Sequence, residues 1–489
     1  MPLIQQENDD LYRTIIHSNS PWIKDPALIR EPEKFRREAF YRVREQMFAD
    51  HEMAVLIKGP RRVGKTEIQK QLIWDLIKNN HVPPDRVLYL TLDDVQIQSE
   101  RPEEKVRMVH NILNAWAKIL GKDTYDEIDA PAYCFLDEVQ AVSNWAKLVK
   151  NRVERNPNVR IVLSGSAAHS IFEQSLKILL GRVISEQLTT FSFREFLHGK
   201  GILTSAQIAE IKELQLEFER NLSPSKLATS LKNIAGKYNE QQFRIYISEY
   251  LKDGGFPQLW KLATNNEIEL AHIIDENYVK KVTLEDLMLL QQIKKPELYE
   301  RLLRHLFARP GQEYSQNKIA AELGTTAVTL AEGMKLLEQT DLLVFVEKFS
   351  HKAEPLKRKN IKIYPIDMML TFAMTKISPS LQTETDKGCI AESLVAQALA
   401  RLRGINNLAY IRSGDMNHSG ELDFFLRSDT RDCPIEVKYQ NQIRGEDLRF
   451  LKNIIKNQSL DGGLLINMDN WATSDKVYGV PLWAFMLIA

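Results

Sequence analysis

Residues 54–70 read AVLIKGPRRVGKTEIQK, an apolar run followed by a glycine-rich turn and a helix-forming stretch. Two glycines, Gly59 and Gly64, let the backbone of such a turn fold so that successive N–H groups converge on one point. The spacing G-x-x-x-x-G-K-[ST] is that of a P-loop, which binds phosphate oxygens at the N-terminus of the following helix. A glycine-rich turn without a ligand is the alternative, but the strand before it and the helix after it favour a phosphate site.

The same turn predicts how a nucleotide is held. Lys65 is expected to reach the β- and γ-phosphates, and the Thr66 hydroxyl is expected to bind Mg²⁺. The other predicted members of this nucleotide site are Gly59, Pro60, Arg61, Arg62, Val63, Gly64 and Glu67. The predicted cofactors are therefore ATP and Mg²⁺.

A second apolar run, YCFLDEVQ (133–140), delivers two carboxylates at the end of a predicted strand. This is the pattern of a Walker B motif. Asp137 is expected to hold Mg²⁺, directly or through water, and Glu138 is expected to orient and deprotonate the attacking water. A buried strand followed by a polar turn is the alternative.

Two further segments offer groups that would respond to the γ-phosphate. The run VRIVLSGSAAHS (159–170) carries Ser164 and Ser166 near its end, and either serine fits the sensor position beside the Walker B strand. In LLGRVIS (179–185), Arg182 follows a glycine and is a candidate arginine finger that neutralises transition-state charge. An arginine on a surface turn is the alternative. Whether Arg182 would act in its own subunit or in a neighbour's stays open.

The whole composition limits the classes of protein. At about 100–200 residues per domain, the 489 residues predict three or four domains. The 65 basic and 65 acidic residues cancel, so any nucleic-acid contact must come from local basic patches. Three cysteines without C-x-x-C spacing argue against a disulfide framework or a zinc site. With no apolar signal core and no run of 18 apolar residues, we expect a soluble cytoplasmic protein without membrane contact.

Five motifs follow one another in a fixed order, namely GPRRVGKT, LDEVQ, LSGSAAHS, LLGRV and TTFSFREFL. In this order they resemble a large prokaryotic family of AAA-superfamily ATPases with a GPRxVGKT P-loop, an LDExQ Walker B motif and a SFREF segment. The stretch YLKDGGFPQLW (250–260) is similar to a GGFP-type element of the same family, for which we expect a structural role. The resemblance implies ATP binding and a C-terminal region with a nuclease-like fold.

Residues 296–350 predict three helices followed by a β-rich run, the order of a winged helix. The third helix, VTLAEGMKLLEQ, carries one cation, Lys335, so a packing or oligomerisation module is the alternative to a DNA reader. The basic run HKAEPLKRKNIK (351–362) is a candidate contact for phosphate backbones, although a solvated turn is the alternative.

The C-terminal part carries a second group of charged residues. Glu392 lies in IAESLVAQALARL, Asp423 in GELDFFLRS, and Glu436 and Lys438 share one strand face in PIEVKYQ. This arrangement looks like the PD-(D/E)XK nuclease core, with Glu392 matching its helical acid. The resemblance implies that Glu392, Asp423 and Glu436 form a divalent-cation site and that Lys438 positions or activates the attacking water. Ordinary charge pairs across a hairpin are the alternative.

The sequence thus predicts an α/β architecture in four parts. These are a P-loop ATPase domain with an N-terminal helical extension (1–190), a helical lid or linker (191–295), a winged-helix-like module (296–365) and a restriction-nuclease-like domain (366–489). The predicted function is ATP hydrolysis coupled to action on nucleic acid, with DNA as the first candidate. The alternatives are a nucleotide-switched regulatory protein with an inactive nuclease-like fold, and a helicase-loader-like remodelling ATPase. Assembly into a homo-oligomer stays open.

Overall fold

The computed structural model divides the chain into two compact units, Met1–Leu188 and Thr189–Ala489. The residues it describes are 2–166, 177–238, 240–261, 267–281, 296–349, 361–375, 383–403, 407–412, 420–428, 431–440, 443, 445 and 448–489. Most of the basic run proposed as a phosphate-backbone contact, residues 351–360, lies outside the described residues. Among the described residues, none of the helices has both the length and the apolar content that crossing a bilayer requires.

The N-terminal unit is a parallel sheet with helices. Its helices are α1 (Pro2–Asn19), α2 (Glu38–Phe48), α3 (Lys65–Trp74), α4 (Val95–Gln98), α5 (Pro102–Ile119) and α6 (Trp145–Arg155). Its strands are β1 (Ala54–Gly59), β2 (Val87–Thr91), β3 (Ala132–Asp137), β4 (Val159–Ser166) and β5 (Val183–Gln187). They are all parallel, in the order β2-β3-β4-β1-β5.

The sequence of each element accounts for its place in this unit. Strand β3 is buried along its whole length, as expected for a parallel strand covered on both faces. Helix α5 starts with Pro102 and two acidic residues, and its buried positions, such as Val109, Ile112 and Trp116, recur at helical spacing. The predicted α/β fold with a P-loop-type sheet is therefore confirmed.

Residues that precede the P-loop cover the edge of β2. The Ser20 hydroxyl donates to the Tyr89 carbonyl (2.7 Å) and accepts from the Tyr89 N–H (2.8 Å). The Trp22 indole N–H donates to the Val87 carbonyl (2.8 Å), and the Asn19 amide oxygen accepts from the Thr91 N–H (3.1 Å). Because these side chains bond the edge strand's backbone, the N-terminal extension takes the place of a further strand.

The C-terminal unit combines helices with a second, mixed sheet. Its helices are α7 (Phe193–Gly199), α8 (Ser205–Asn221), α9 (Pro224–Ala235), α10 (Glu240–Asp253), α11 (Glu267–Ile274), α12 (Pro296–Ala308), α13 (Gln316–Leu323), α14 (Ala327–Glu338), α15 (Met368–Thr375), α16 (Glu384–Arg401), α17 (Arg449–Asn457) and α18 (Leu482–Phe485). Its strands are β6 (Leu343–Lys348), β7 (Ile361–Pro365), β8 (Asn407–Arg412), β9 (Glu421–Arg427), β10 (Asp432–Lys438), β11 (Gly463–Asn467), β12 (Thr473–Ser474) and β13 (Val477–Pro481). They pair in the order β12-β13-β11-β10-β9-β8-β6-β7.

The centre of this sheet follows the order helix, three strands, helix, strand. Helix α16 precedes the antiparallel strands β8, β9 and β10, and helix α17 then leads to β11, which runs parallel to β10. Strand β6 pairs with β8, so the β6–β7 hairpin extends the same sheet. The segments predicted as a winged-helix-like module and a nuclease-like domain therefore share one sheet.

The GGFP-type element packs against the connection between β7 and α15. The Gly255 N–H donates to Asp367 Oδ2 (2.6 Å), and the Gly255 carbonyl accepts from the Phe191 N–H (2.6 Å). Asp367 is buried, and burial raises its pKa although the N–H groups of Met369 and Gly255 oppose that shift. A Cβ atom on Gly255 would lie 2.8 Å from both Asp367 Oδ2 and the Phe191 carbonyl oxygen, so the close approach requires glycine.

Gly255→Ala should therefore lower the free energy of unfolding by about 1–3 kcal/mol, the usual cost of overpacking a buried contact. The matched control is Gly388→Ala inside α16, where a Cβ atom meets none of the described residues within 4 Å. There alanine should stabilise the helix by about 0.5–1 kcal/mol. Urea unfolding of both full-length variants measures the difference. Equal changes in the two proteins would contradict the role assigned to Gly255.

Candidate functional site

The P-loop connects β1 to α3, and its two glycines stand where the backbone needs them. Gly59 has φ 155°, and a Cβ atom there would lie 1.9 Å from the Leu188 carbonyl oxygen. Gly64 has φ 98°, a left-handed conformation that side chains with a Cβ atom rarely adopt, and it directly precedes α3. The turn therefore requires glycine at both positions, for close packing at the first and for conformation at the second.

Lys65 folds back over this turn. Its side chain is buried, and Nζ donates to the Gly59 carbonyl (3.0 Å) and to the Pro60 carbonyl (2.7 Å). Because Lys65 is also the first residue of α3, the N-terminal end of that helix adds positive potential at the same place. The loop thus concentrates an ammonium group and helix N–H groups, which suits a polyphosphate.

Asp137 joins the P-loop to the neighbouring strands. Its Oδ2 accepts from the Thr66 hydroxyl (2.7 Å) and from the Tyr89 hydroxyl (2.9 Å), and its Oδ1 accepts from the Ser164 hydroxyl. Side chains from α3, β2, β3 and β4 meet here, at the carboxyl edge of the sheet, where the register sets Gly59 opposite Ser166 and Thr91 opposite Asp137. The structure therefore brings together Thr66 and Asp137, the two residues predicted to bind Mg²⁺.

Tyr89 is a member of this site that the sequence analysis did not select. Burial raises its pKa, and the Asp137 charge raises it further, so its hydroxyl stays protonated and donates. It lies in the middle of the run RVLYLTLDD, where an aromatic residue on a buried strand gives no signal of function. Only the pairing of β2 with β3, which sets Thr91 opposite Asp137, brings Tyr89 close.

Glu138 follows the strand in a left-handed conformation with φ 51°. Its carboxylate accepts from the Gln140 side-chain amide, and the Gln140 amide oxygen in turn accepts from the Ser166 N–H (3.2 Å). Burial raises the pKa of Glu138, and the Lys65 charge opposes that shift. A carboxylate with a raised pKa is a stronger base, which suits the proton-accepting role predicted for Glu138.

Two further residues of the predicted nucleotide site contact the N-terminal extension. The Val63 carbonyl accepts from Arg37 Nη1 (2.9 Å), and the Glu67 carboxylate accepts from the Glu33 N–H (2.8 Å). Arg62 has φ 65°, the second left-handed residue of the turn. Residues before the first strand therefore help to set the shape of the P-loop.

Arg182 lies at the amino edge of the parallel sheet, opposite the carboxyl edge where the P-loop lies. Its carbonyl accepts from the Ala54 N–H, at the start of β1, and β5 runs parallel to β1 from there. At about 3.3 Å per residue, Ala54 and the bonded Arg182 carbonyl lie roughly 16 Å along β1 from Gly59. The Arg182 side chain pairs with Glu154 and donates to the Leu180 carbonyl (3.1 Å). The structure therefore does not bring Arg182 to the predicted nucleotide site of its own chain.

The C-terminal group predicted from the sequence lies on adjacent strands. Lys438 Nζ pairs with Glu436 Oε1 (2.5 Å), and Asp423 Oδ2 accepts from the Val437 N–H (2.9 Å). Glu436 is buried, and within the described part of the chain its Oε2 atom has no hydrogen-bond donor. The three residues Asp423, Glu436 and Lys438 thus form one cluster, with an unsatisfied carboxylate oxygen.

Two residues of β7 join this cluster. Lys362 ends the basic run 351–362 that was predicted to contact phosphate backbones, but it is buried among carboxylates, and Tyr364 had no predicted role. Lys362 Nζ pairs with Glu421 Oε1 (2.6 Å) and Glu392 Oε1 (2.9 Å), and it lies 3.9 Å from Asp423 Oδ1. The Tyr364 hydroxyl donates to Glu392 Oε1 (2.6 Å). The signal available in the sequence was the alternation of IKIYP, which places Lys362 and Tyr364 on one strand face.

The charges of this cluster shift one another's pKa values. Burial raises the pKa of Asp423 and of Glu436, and neighbouring carboxylates raise both further. Burial alone would lower the pKa of Lys362, but Glu392, Asp423 and Glu421 outweigh it and the net shift is upward. Lys362 is therefore charged, while the two carboxylates lack full compensation.

Glu392 was predicted to bind the cation together with Asp423 and Glu436, but it has other partners in the structure. Within the described residues, no group of three or more His, Cys, Asp or Glu side chains is arranged to hold a metal ion. One carboxylate oxygen of Glu392 is bonded by Lys362 and Tyr364 instead. Asp423 and Glu436 still offer the oxygen donors that Mg²⁺ or Mn²⁺ prefers, and Glu436 Oε2 is a buried acceptor for which a cation would be a partner.

Comparisons with known proteins agree with this description of the N-terminal unit. Residues 51–197 match the family described as "AAA domain". Residues 244–381 and 387–485 match two domains of unknown function, DUF8612 and DUF4143 respectively. These two matches leave the nuclease resemblance of the C-terminal unit as a prediction.

Among the proteins to which this chain is similar are one relative and two solved structures, as follows. An uncharacterized protein of Methanocaldococcus jannaschii is 25% identical over 419 residues, which cover 83% of this chain and 79% of the relative. The structure of PCH-2 from C. elegans matches with a TM-score of 0.23 and 17% identity over 37% of this chain, and the match spans only 44% of that protein. The ORC1 protein of Aeropyrum pernix, solved in complex with DNA, matches with a TM-score of 0.26 and 11% identity over 73% of this chain and 96% of that one. TM-scores of this size do not establish a shared overall arrangement.

The position of Arg182 yields a direct test. Arg182→Ala should leave the nucleotide affinity of the chain unchanged within roughly twofold, the usual limit for a surface substitution far from a ligand. Titration with a fluorescent ATP analogue measures this affinity, with Lys65→Ala as the variant that should lose binding. Loss of binding in Arg182→Ala would contradict the placement of this arginine.

Proposed function

We propose that this protein binds and hydrolyses ATP and that its C-terminal unit acts on nucleic acid. The observation that carries the first part is the hydrogen bond of the Thr66 hydroxyl to Asp137, because it brings the P-loop and the Walker B strand to one edge. The ammonium group of Lys65 and the N-terminus of α3 meet at the same edge. This set of groups suits a magnesium–triphosphate.

Each side chain has a separate task in this proposal. Lys65 exchanges its bonds with loop carbonyls for phosphate oxygens, and Thr66 and Asp137 supply oxygen ligands for Mg²⁺. When bound, Mg²⁺ neutralises charge that develops on the phosphates. Glu138 accepts the proton of the attacking water, while Ser164 and Ser166 lie at the end of β4 and respond to the γ-phosphate.

Two substitutions separate binding from hydrolysis. Lys65→Ala should weaken ATP binding at least about thirtyfold, which corresponds to about 2 kcal/mol of lost charge-assisted bonds. Glu138→Gln keeps the size of the side chain but removes the base, so kcat should fall at least about 100-fold while ATP still binds. Steady-state phosphate release and nucleotide titration measure the two quantities.

Lys70→Ala is the matched control, since Lys70 lies on the same helix and is exposed. It should leave both quantities unchanged. A Lys65→Ala protein that hydrolyses ATP at the wild-type rate would remove the assignment of an ATPase.

The C-terminal cluster favours a second activity, metal-dependent cleavage of nucleic acid. Asp423, Glu436 and Lys438 lie on adjacent strands, inside the order helix, three antiparallel strands, helix and parallel strand. Asp423 and Glu436 would hold the divalent cation, which would polarise the scissile phosphate. Lys438 would orient the attacking water and stabilise the charge on the phosphorane.

Cleavage of plasmid and single-stranded DNA with Mg²⁺ or Mn²⁺, with and without ATP, tests this activity. We expect products from the wild-type protein and at least about a 100-fold loss in Asp423→Ala and in Glu436→Ala. Asp461→Ala changes an exposed aspartate of the same unit and should cleave normally.

The same samples separate the alternatives. Absence of cleavage in every nucleotide state would favour a regulatory protein with an inactive nuclease-like fold. ATP hydrolysis that DNA stimulates, without cleavage, would favour a remodelling ATPase.

A further inference from the structure

Lys362 occupies an unusual position for a lysine. It is only 5% exposed, and its ammonium group is shared among Glu392 on α16 and Glu421 and Asp423 on β9. Tyr364, two residues along β7, reinforces the contact through its bond to Glu392. A buried lysine is stable only if its charge is matched, and here three carboxylates match it.

The charges around Lys362 leave a surplus on the acidic side. Among the described residues, four carboxylates, those of Glu392, Glu421, Asp423 and Glu436, face the ammonium groups of Lys362 and Lys438. The Arg412 guanidinium, which also pairs with Glu313, lies 4.0 Å from Glu421. Lys438 pairs with Glu436 Oε1, and the described residues offer no donor to the buried Glu436 Oε2. A divalent cation would balance this negative charge, and Glu436 Oε2 is a buried oxygen that could coordinate it.

A cation at Asp423 and Glu436 would meet the ammonium group of Lys362 at close range. Asp423 Oδ2 is already engaged by the Val437 N–H, so Oδ1 is the oxygen with capacity for a ligand. That same oxygen lies 3.9 Å from Lys362 Nζ. Two cations that depend on one oxygen repel each other, and burial keeps that repulsion from being screened.

We propose that Lys362 is an internal counter-ion of the C-terminal site and that it competes with a divalent cation for Asp423. The inference rests on the cation site of the proposed nuclease-like function and adds a residue that sets its affinity. Lys362 is a positioning residue in this scheme, because it acts through Asp423 and Glu392. The β6–β7 hairpin thereby controls how strongly the strands β9 and β10 bind a cation.

Lys362→Met tests the competition, since methionine keeps the apolar stem and removes the charge. Mn²⁺ binding to the full-length protein without nucleotide is followed by the electron paramagnetic resonance signal of free Mn²⁺. The binding that disappears in Glu436→Gln defines the C-terminal site. We expect Lys362→Met to bind Mn²⁺ at this site at least about tenfold tighter, as the loss of a nearby unit charge predicts. Lys335→Met, on the exposed face of α14, is the control and should not change the affinity.

Glu421→Gln provides a second test, which does not depend on the folding of Lys362→Met. Glu421 is partly exposed, so Glu421→Gln should leave the fold intact while it removes the nearest partner of Lys362. Lys362 then pairs more closely with Asp423 and Glu392, and Mn²⁺ binding should weaken by about threefold or more. In a Lys362→Met background the effect of Glu421→Gln should shrink, because the two residues act through one interaction.

The outcomes separate the inference from the function on which it rests. Tighter binding in Lys362→Met supports the competition, and a site that appears only in Lys362→Met supports it most strongly. Wild-type binding that Lys362→Met leaves unchanged or weakens overturns the inference and keeps the cation site. If no protein shows binding that depends on Glu436, both the inference and the metal-dependent activity fall.

Discussion

Buried carboxylates must be matched by donors or cations, and this constraint shapes both units of the protein. Asp137 is matched by neutral hydroxyl groups from Thr66, Tyr89 and Ser164. The carboxylates of the C-terminal cluster are matched mainly by the ammonium groups of Lys362 and Lys438. Hydroxyl donors satisfy the hydrogen bonds of a carboxylate without cancelling its charge, so Asp137 keeps its attraction for a metal ion. Lysines cancel the charge, and a metal ion must then compete with them.

Sequence reasoning found the N-terminal site because its chemistry and its fold are local in the chain. Gly59, Gly64 and Lys65 stand within one turn, and each strand that delivers a polar group is a contiguous apolar run. Parallel strands present their carboxyl ends at one edge, so the strand ends could be expected to meet. The same rule explains why Arg182 does not reach the predicted nucleotide site of its own chain. Arg182 precedes its strand, and the start of a parallel strand lies at the opposite edge.

Residues that depend on long-range pairing could not be predicted in this way. Tyr89 reaches Asp137 only because β2 pairs with β3 in one particular register. Lys362 reaches Asp423 because the β6–β7 hairpin joins β8. The predicted domain boundary after residue 365 had assigned these two residues to different domains. The alternation within a strand indicates the face on which a side chain lies, but it does not say which strands pair. The elements were predictable from the sequence, whereas their pairing was not.

The two lysines of the C-terminal cluster differ in how the chain supplies them. Lys438 lies two residues from Glu436 on one strand, so their proximity follows from strand geometry alone. Lys362 belongs to a hairpin that must first pair with β8, and its amine then loses most of its contact with water. Glu392 and Glu421 offset the cost of burying the Lys362 ammonium group, and Lys362 reduces the repulsion between these two carboxylates. Pairing of the hairpin with β8 therefore completes the acidic cluster, and the segment predicted as a winged-helix-like module contributes to the C-terminal site together with the strands that carry its carboxylates.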